Sequence, residues 1–292
     1  MRILTILLGL ALATPLSAEI RDYEVFAGDL ADPAAAPIVM VLHGGGGSGP
    51  QVRRTTGFDR FAAQAGVVAV YPSGDNRVWN DGRMGSATGR RIRAGRDDVA
   101  DLIALARRLE AEGLGDADRL FLIGHSNGGG MAMRVACARP DALAGIAVVA
   151  TKVLTDAPCA DGRTPVPAVF FFGTADELNP HAGRQDPANR RDRVLGLSLS
   201  AAESLSLWAR RNGCGARGAA RIINPADDGV VVRAYDWQGC HAPLRYYETE
   251  GGGHAWPGAR PASILSRNRP EVLVRDIDAG REALAFFAAL GD

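Results

Sequence analysis

A chain of 292 residues, 47% apolar and 23% charged, can bury a sizeable core and suits one large α/β domain. Its 33 basic residues balance its 33 acidic ones. No basic field is available for nucleic acid or an anionic membrane, and neither is expected as a partner.

The first stretch, MRILTILLGLALATPLSAEI, sets the expected compartment. Arg2 gives a short positive start, and Ile3 to Leu12 is an apolar run that Pro15 ends. The run is shorter than the roughly 18 residues of a membrane-crossing helix and has the length of a signal-peptide core. Cleavage after Ala18 is expected, making 1–18 a signal peptide and 19–292 a single catalytic domain, secreted or periplasmic, with no stable membrane insertion.

Downstream, apolar runs rich in β-formers alternate with segments of helical spacing. Ile38 to Leu42 reads as a buried strand, and the glycine loop HGGGGSG follows it. Phe58 to Ala65 reads as a helix stopped by Gly66, and Val67 to Tyr71 as a strand ended by Pro72. Asp97 and Asp98 open a helix through Glu112, where acidic residues suit the N-terminal dipole and serve as caps. Strands follow at Leu120 to Ile123, Ile146 to Ala150, Val169 to Phe172 and Leu244 to Glu248, with helices at Asn127 to Ala138, Ser200 to Arg211 and Asp276 to Leu290. Arg221 to Asn224 and Val230 to Asp236 form an edge hairpin around Asp227-Asp228-Gly229. Asp75 to Gly95 and Asn179 to Gly196 read as long loops of the kind that build specificity over strand ends. Strands this apolar, separated by helices, predict a mostly parallel central sheet with helices on both faces.

Gly124-His125-Ser126-Asn127-Gly128 fits G-x-S-x-G, a weak signal by itself among 36 glycines. Its setting adds weight. LFLI before it is strand-like and a helix begins at Asn127, so Ser126 must turn sharply, with flanking glycines removing the Cβ atoms that would clash. The helix N-terminus then offers N–H groups where negative charge would develop on a substrate.

His43-Gly44-Gly45-Gly46-Gly47 contains G-x-G-x-x-G at Gly44, Gly46 and Gly49, but the next strand ends Val70-Tyr71-Pro72 without the acid a dinucleotide site needs. Pro50-Gln51 also stands where a P-loop requires Lys-Ser/Thr. An oxyanion loop fits, its donors the N–H of Asn127 and one from Gly45 or Gly46.

Of five histidines, His43 and His125 read as backbone braces, His181 follows the candidate acid too closely, and His241 sits beside Cys240. His254, after the last strand, stands where the order Ser…Asp…His delivers a base. Asp176, directly after a strand, is the preferred acid over Asp186 and Asp192. No cofactor is expected. No Cys/His spacing suggests a metal site, and Cys137, Cys159, Cys214 and Cys240 read as two disulfides of open pairing in an exported chain.

Taken in order, HGGGGSG, WND at Trp79 to Asp81, DDV at Asp97 to Val99, GHSNGG, GTAD and GGGHAWPG resemble the secreted polyhydroxybutyrate depolymerase-like esterases, which group with feruloyl and acetylxylan esterases on the α/β-hydrolase fold. The resemblance runs from about Ala27 onward, with GGGHAWPG and RNGC its more specific pieces. It implies a Ser126–Asp176–His254 triad and a small-molecule or oligomeric ester substrate, of hydroxyalkanoate, feruloyl or acetyl type. It also suggests that Trp79 and Trp256 flank the acyl or aromatic pocket, with plain core or lid packing as the other reading. With proximity in the chain, its setting suggests disulfides Cys137–Cys159 and Cys214–Cys240. Two features depart from the family: the glycine loop lacks a cysteine some members carry, and no appended polymer-binding domain follows the last helix. Soluble esters or oligomers are therefore expected. The alternatives are a serine peptidase of the same fold and a catalytically silent binding module. Arginines crowd 184–193, which reads as a solvated face, with acidic-ester recognition as the sharper option, whereas Lys152 is the one lysine of the chain.

Overall fold

The computed structural model describes residues 20, 22–83, 96–155, 164–226, 229–259, 272 and 274–291. The signal-peptide expectation and Cys159 lie outside them. Nine strands form one sheet among the described residues: β1 (Tyr23–Phe26), β2 (Pro37–Leu42), β3 (Val68–Pro72), β4 (Asp116–His125), β5 (Gly145–Val149), β6 (Ala168–Gly173), β7 (Arg221–Ile223), β8 (Val231–Asp236) and β9 (Leu244–Glu250). Their spatial order is β1-β3-β2-β4-β5-β6-β9-β8-β7. The six central strands are parallel, while β1 at one edge and the β8–β7 hairpin at the other are antiparallel.

Two apolar layers follow from strand alternation. Ile38, Met40 and Leu42 of β2 face one way with Leu120, Leu122, Phe170 and Phe172. Helices α3 (Asp98–Ala111), α4 (Asn127–Ala138) and α6 (Ala201–Arg211) cover that face through Leu102, Leu105, Met131, Val135 and Trp208. Val39, Val41, Ile123, Val149 and Phe171 face the other way, under α1 (Gly49–Thr56), α2 (Asp59–Ala65) and α7 (Ala279–Ala288). The chain moves outward from β2 to β3 and returns to β4 on the opposite side, so a crevice opens between β2 and β4 at the strands' carboxyl ends.

One strand and two α-helices were not foreseen. β1 is a short antiparallel edge strand against β3, with Tyr23 opposite Pro72. α1 follows the glycine loop because Ser48 caps Gln51, Pro50 sits in the first turn, and Gly57 closes the helix in the left-handed region. α5 (Arg190–Leu195) lies inside the expected 179–196 loop, capped by Asn189. Asp97 does cap α3, accepting from Val99 and Ala100 at 3.2 Å each. Asp98 does not: it accepts from the Asn80 N–H at 2.7 Å and pairs with Arg96, anchoring the loop after β3.

Cys214 and Cys240 form a disulfide between the end of α6 and the segment before β9. Cys137 is disulfide-bonded too. No helix among the described residues is long and apolar enough to cross a membrane.

Candidate active site

The parallel strands β2, β4, β6 and β9 each end at the same edge of the sheet, and the sequence-selected residues follow them directly. Ser126 stands between β4 and α4 at φ 53°, ψ −115°, a strained region for a residue with a side chain. Its N–H is held by the Val149 carbonyl at 2.8 Å, and its own carbonyl accepts the first helical bond, from Gly130, at 3.0 Å. Close approach explains the glycines: a Cβ on Gly124 would lie 2.1 Å from the Gly128 carbonyl oxygen, and one on Gly128 would lie 2.4 Å from that of Leu42. Strand, loop and helix therefore meet at contact distances that no other residue permits.

Over this turn lies the glycine loop. A Cβ on Gly44 would meet Ser126 Cβ at 3.5 Å, and one on Gly45 would meet Asn127 Cβ at 3.7 Å. Asn127 opens α4, so its N–H has no partner four residues back. Among the described residues no backbone bond takes the Gly45 N–H, whereas Gly46 donates to the Arg77 carbonyl at 2.7 Å. The Gly46 N–H is therefore engaged, and of the two glycines left open Gly45 is the one with no backbone partner among the described residues.

The loop is braced from below. His43 Nε2 accepts from the Gly74 N–H at 2.9 Å, which leaves Nδ1 to donate to the Gly44 carbonyl at 2.8 Å. Burial lowers the His43 pKa to about 4, so the ring stays neutral and keeps that tautomer. Trp79 packs 5.0 Å from the His43 ring and donates from Nε1 to the His43 carbonyl at 3.0 Å. It has no exposed surface and Trp256 only 3%, so neither walls an open pocket. The structure gives both the packed place rather than the pocket wall: Trp79 supports the glycine loop, and Trp256 lies edge-on 6.4 Å from the His125 ring.

Asp176 and His254 are brought together. Asp176 Oδ2 lies 2.9 Å from His254 Nδ1, while Oδ1 accepts from the N–H groups of Leu178 and Asn179 at 2.9 and 2.8 Å. Burial raises the carboxyl pKa, but the bond from His254, the Asn179 N–H and the charge of Lys152 outweigh it and hold the acid below its ordinary range. His125 Nε2 donates to the His254 carbonyl at 2.8 Å, so the residue beside Ser126 pins the segment carrying His254. Asp176 holds Nδ1, so Nε2 is the ring nitrogen of His254 that it leaves unengaged. Asp186 and Asp192 are occupied in their own loop, Asp192 accepting from the Asp186 N–H and Asp186 from that of Ala188.

Three further residues escaped sequence reasoning. Lys152, after β5, is buried against the Phe172 ring at 4.9 Å and donates to the Asn179 carbonyl. Burial lowers its pKa to about 8, against the attraction of Asp176 and with the help of Arg184. Asn179 in turn donates to the Ala150 carbonyl at 2.7 Å and accepts from Arg184. Arg184 is buried, so the arginine-rich stretch is no uniform solvated face, although Arg190, Arg191 and Arg193 are exposed. Only the singularity of Lys152 among so many arginines could have drawn attention to this cluster. No cluster of metal-binding side chains occurs among the described residues.

The strand order and the elbow between β4 and α4 define an α/β-hydrolase. A model described as the prolyl oligopeptidase family matches residues 60–160. Over 269 residues the chain is 32% identical to the putative esterase NocK of Nocardia uniformis, covering 85% of this chain and 75% of that protein. It is 26% identical over 195 residues to a probable feruloyl esterase C of Aspergillus terreus, covering 67% of this chain but 60% of that enzyme. An acetyl xylan esterase from Aspergillus awamori shares the fold, with a TM-score of 0.57 at 14% identity over 91% of this chain and 93% of the other. The chain belongs to the same esterase family as NocK, on the α/β-hydrolase fold, and by class it is a carboxylic ester hydrolase.

Proposed function

We propose that the chain is a secreted serine carboxylesterase in which Ser126 is the nucleophile, His254 the general base and Asp176 the acid that orients it. The observation carrying this reading is the Asp176–His254 pair, held at 2.9 Å and tied to His125, the residue next to Ser126. His254 Nε2 takes the Ser126 proton as Oγ attacks the ester carbonyl, and Asp176 stabilises the imidazolium that forms. The N–H groups of Asn127 and Gly45 receive the oxyanion, each contributing about 3 to 4 kcal/mol in comparable sites. The protonated imidazole then gives its proton to the departing alcohol. Water, activated by the same histidine, releases the acid from the acyl-enzyme. No step calls on a cofactor.

Relatives named as feruloyl esterases favour a hydroxycinnamoyl ester such as methyl ferulate. Hydroxyalkanoate oligomers and acetyl esters are the other substrates of this reading. We place 19–292 in one mature catalytic domain after a signal peptide of 1–18, with a Cys137–Cys159 bridge.

The test is kinetic. Wild type is expected to hydrolyse p-nitrophenyl acetate and methyl ferulate and to react with a fluorophosphonate. Ser126→Ala is expected to lose both properties, with kcat falling by about 10⁶-fold, as in serine hydrolases stripped of the nucleophile. A variant that kept substantial turnover would refute the mechanism. The match to the prolyl oligopeptidase model favours a second reading, a peptidase, which a peptide anilide cleaved faster than the esters would establish.

A further inference from the structure

Ser126 and Asp176 follow strands β4 and β6, which are separated in the sheet by β5. Their relative placement must nevertheless hold to a fraction of an ångström, because misplacement by about 1 Å costs on the order of 100-fold in rate. Two buried arginines span this gap.

On the elbow side, the Asn127 side chain clasps the backbone of Trp79, accepting from its N–H at 2.7 Å and donating to its carbonyl at 3.0 Å. It also donates to Asp81 Oδ2 at 2.8 Å. Asp81 is packed so closely on α4 that a Cβ on Gly130 would lie 2.7 Å from Oδ2. Arg83 neutralises Asp81, its Nε 2.8 Å from Oδ1, and extends Nη1 to the Leu195 carbonyl at 2.8 Å.

On the acid side, Arg184 is only 1% exposed, yet no carboxylate among the described residues pairs with it. Carbonyl oxygens solvate it instead: Gly196 at 2.6 Å, Leu178 at 3.1 Å, Leu195 at 3.4 Å and the side chain of Asn179. Leu195 and Gly196 close α5, where the helix dipole places negative partial charge. Asn179, held by Arg184, Lys152 and the Ala150 carbonyl, directs its N–H to Asp176. Both arginines thus meet on one acceptor, the Leu195 carbonyl.

We propose that this buried chain, Asn127–Asp81–Arg83–Leu195 carbonyl–Arg184–Asn179–Asp176, is the device that positions the elbow and the acid relative to each other, with Arg83 and Arg184 as its positioning residues. It rests on the reading of Ser126, His254 and Asp176 as the catalytic groups. The planar five-donor fork of arginine suits the task, since it fixes several acceptors at once and never loses its charge. A lysine at position 184, with three donors on a single atom, could hold at most three of those four oxygens.

The experiment is a double-mutant cycle on Arg83→Met and Asn179→Ala, two residues linked among the described residues through Arg184 and the Leu195 carbonyl. kcat and KM for p-nitrophenyl acetate are measured beside thermal melts. Each single variant is expected to lose about 10-fold or more in kcat with KM within about threefold, the pattern of lost transition-state alignment. The double variant is expected to be only slightly worse than the poorer single, at least about fivefold better than the product of the two losses. Losses that multiply, or that fall on KM, would overturn the proposal. If Asn179→Ala does not fold, Arg184→Lys replaces it in the cycle, with the same expectation and the same refutation. Failure of the reading beneath is separate: it is registered by Ser126→Ala retaining turnover, whatever the cycle gives.

Discussion

The Ser126 side and the Asp176 side of the candidate site are built in opposite ways. Around Ser126 the parts are backbone: N–H groups at the start of α4, a glycine loop, and contacts as close as 2.1 Å where a Cβ would stand. Around Asp176 the parts are side chains drawn from separated segments, Lys152, Asn179, Arg184 and His254, each buried or half-buried and each holding another. A backbone device leaves a local signature of consecutive small residues. A side-chain device leaves single residues at unrelated spacings, and the chain does not advertise it.

The contrast can be tested from its strongest element downward. Asp176→Asn keeps the shape of the acid but removes the charge facing the imidazole. It is expected to lower kcat by about 10⁴-fold while the melting temperature stays near that of wild type. A loss below about tenfold would mean that another carboxylate does this work. On the other side the damage should fall on folding. Gly124→Ala drives a methyl into the Gly128 carbonyl and is expected to cost about 3 kcal/mol or more in denaturant titrations; a neutral result would show that β4 and α4 can part.

pH should distinguish the brace under the glycine loop. His43 has a folded pKa of about 4 against an ordinary 6.5, so the unfolded chain binds the proton first as pH falls. Stability contributed by the neutral ring is complete above about pH 6.5 and is lost progressively toward pH 4, by roughly 3 kcal/mol at most. His43→Gln, which can accept from Gly74 without titrating, is expected to narrow its stability gap to wild type across that window. A gap constant from pH 7 to pH 4 would remove His43 from the account. The smallest effect is reserved for Gly46, whose φ of 84° disfavours any side chain although space around it is open. Gly46→Ala is expected to cost about 1 kcal/mol of stability with kcat within twofold. A large kcat loss would return Gly46 to the oxyanion hole.

The same contrast governs what was legible in advance. The Asn127–Ala138 helix and the β7–β8 edge hairpin were readable because periodicity and turn residues are local. So was the strand–serine–helix turn. β1 was missed because a four-residue edge strand needs only a partner, not an apolar run. α5 was missed because its cap and length, not its apolar spacing, make it. Trp79 was left between pocket and packing since an aromatic beside a site reads alike whether it faces substrate or supports a loop; the bond to the His43 carbonyl separates the two. Arg184 was misjudged because burial of a cation is decided by carbonyl groups contributed from elsewhere in the fold.

Lys152 has a practical corollary. Being the chain's one lysine and 1% exposed, it leaves the native surface bare of lysine ε-amines. Amine-reactive dyes and coupling resins can then reach only the chain's terminal amine while the acid-side cluster stays shut, and a lysine-specific protease can cut at one peptide bond, after residue 152, only once that cluster has opened. Appearance of the two resulting fragments, separated by reduction because the proposed Cys137–Cys159 bridge spans the cut, would therefore serve as a built-in clock for breathing at the base of the acid loop.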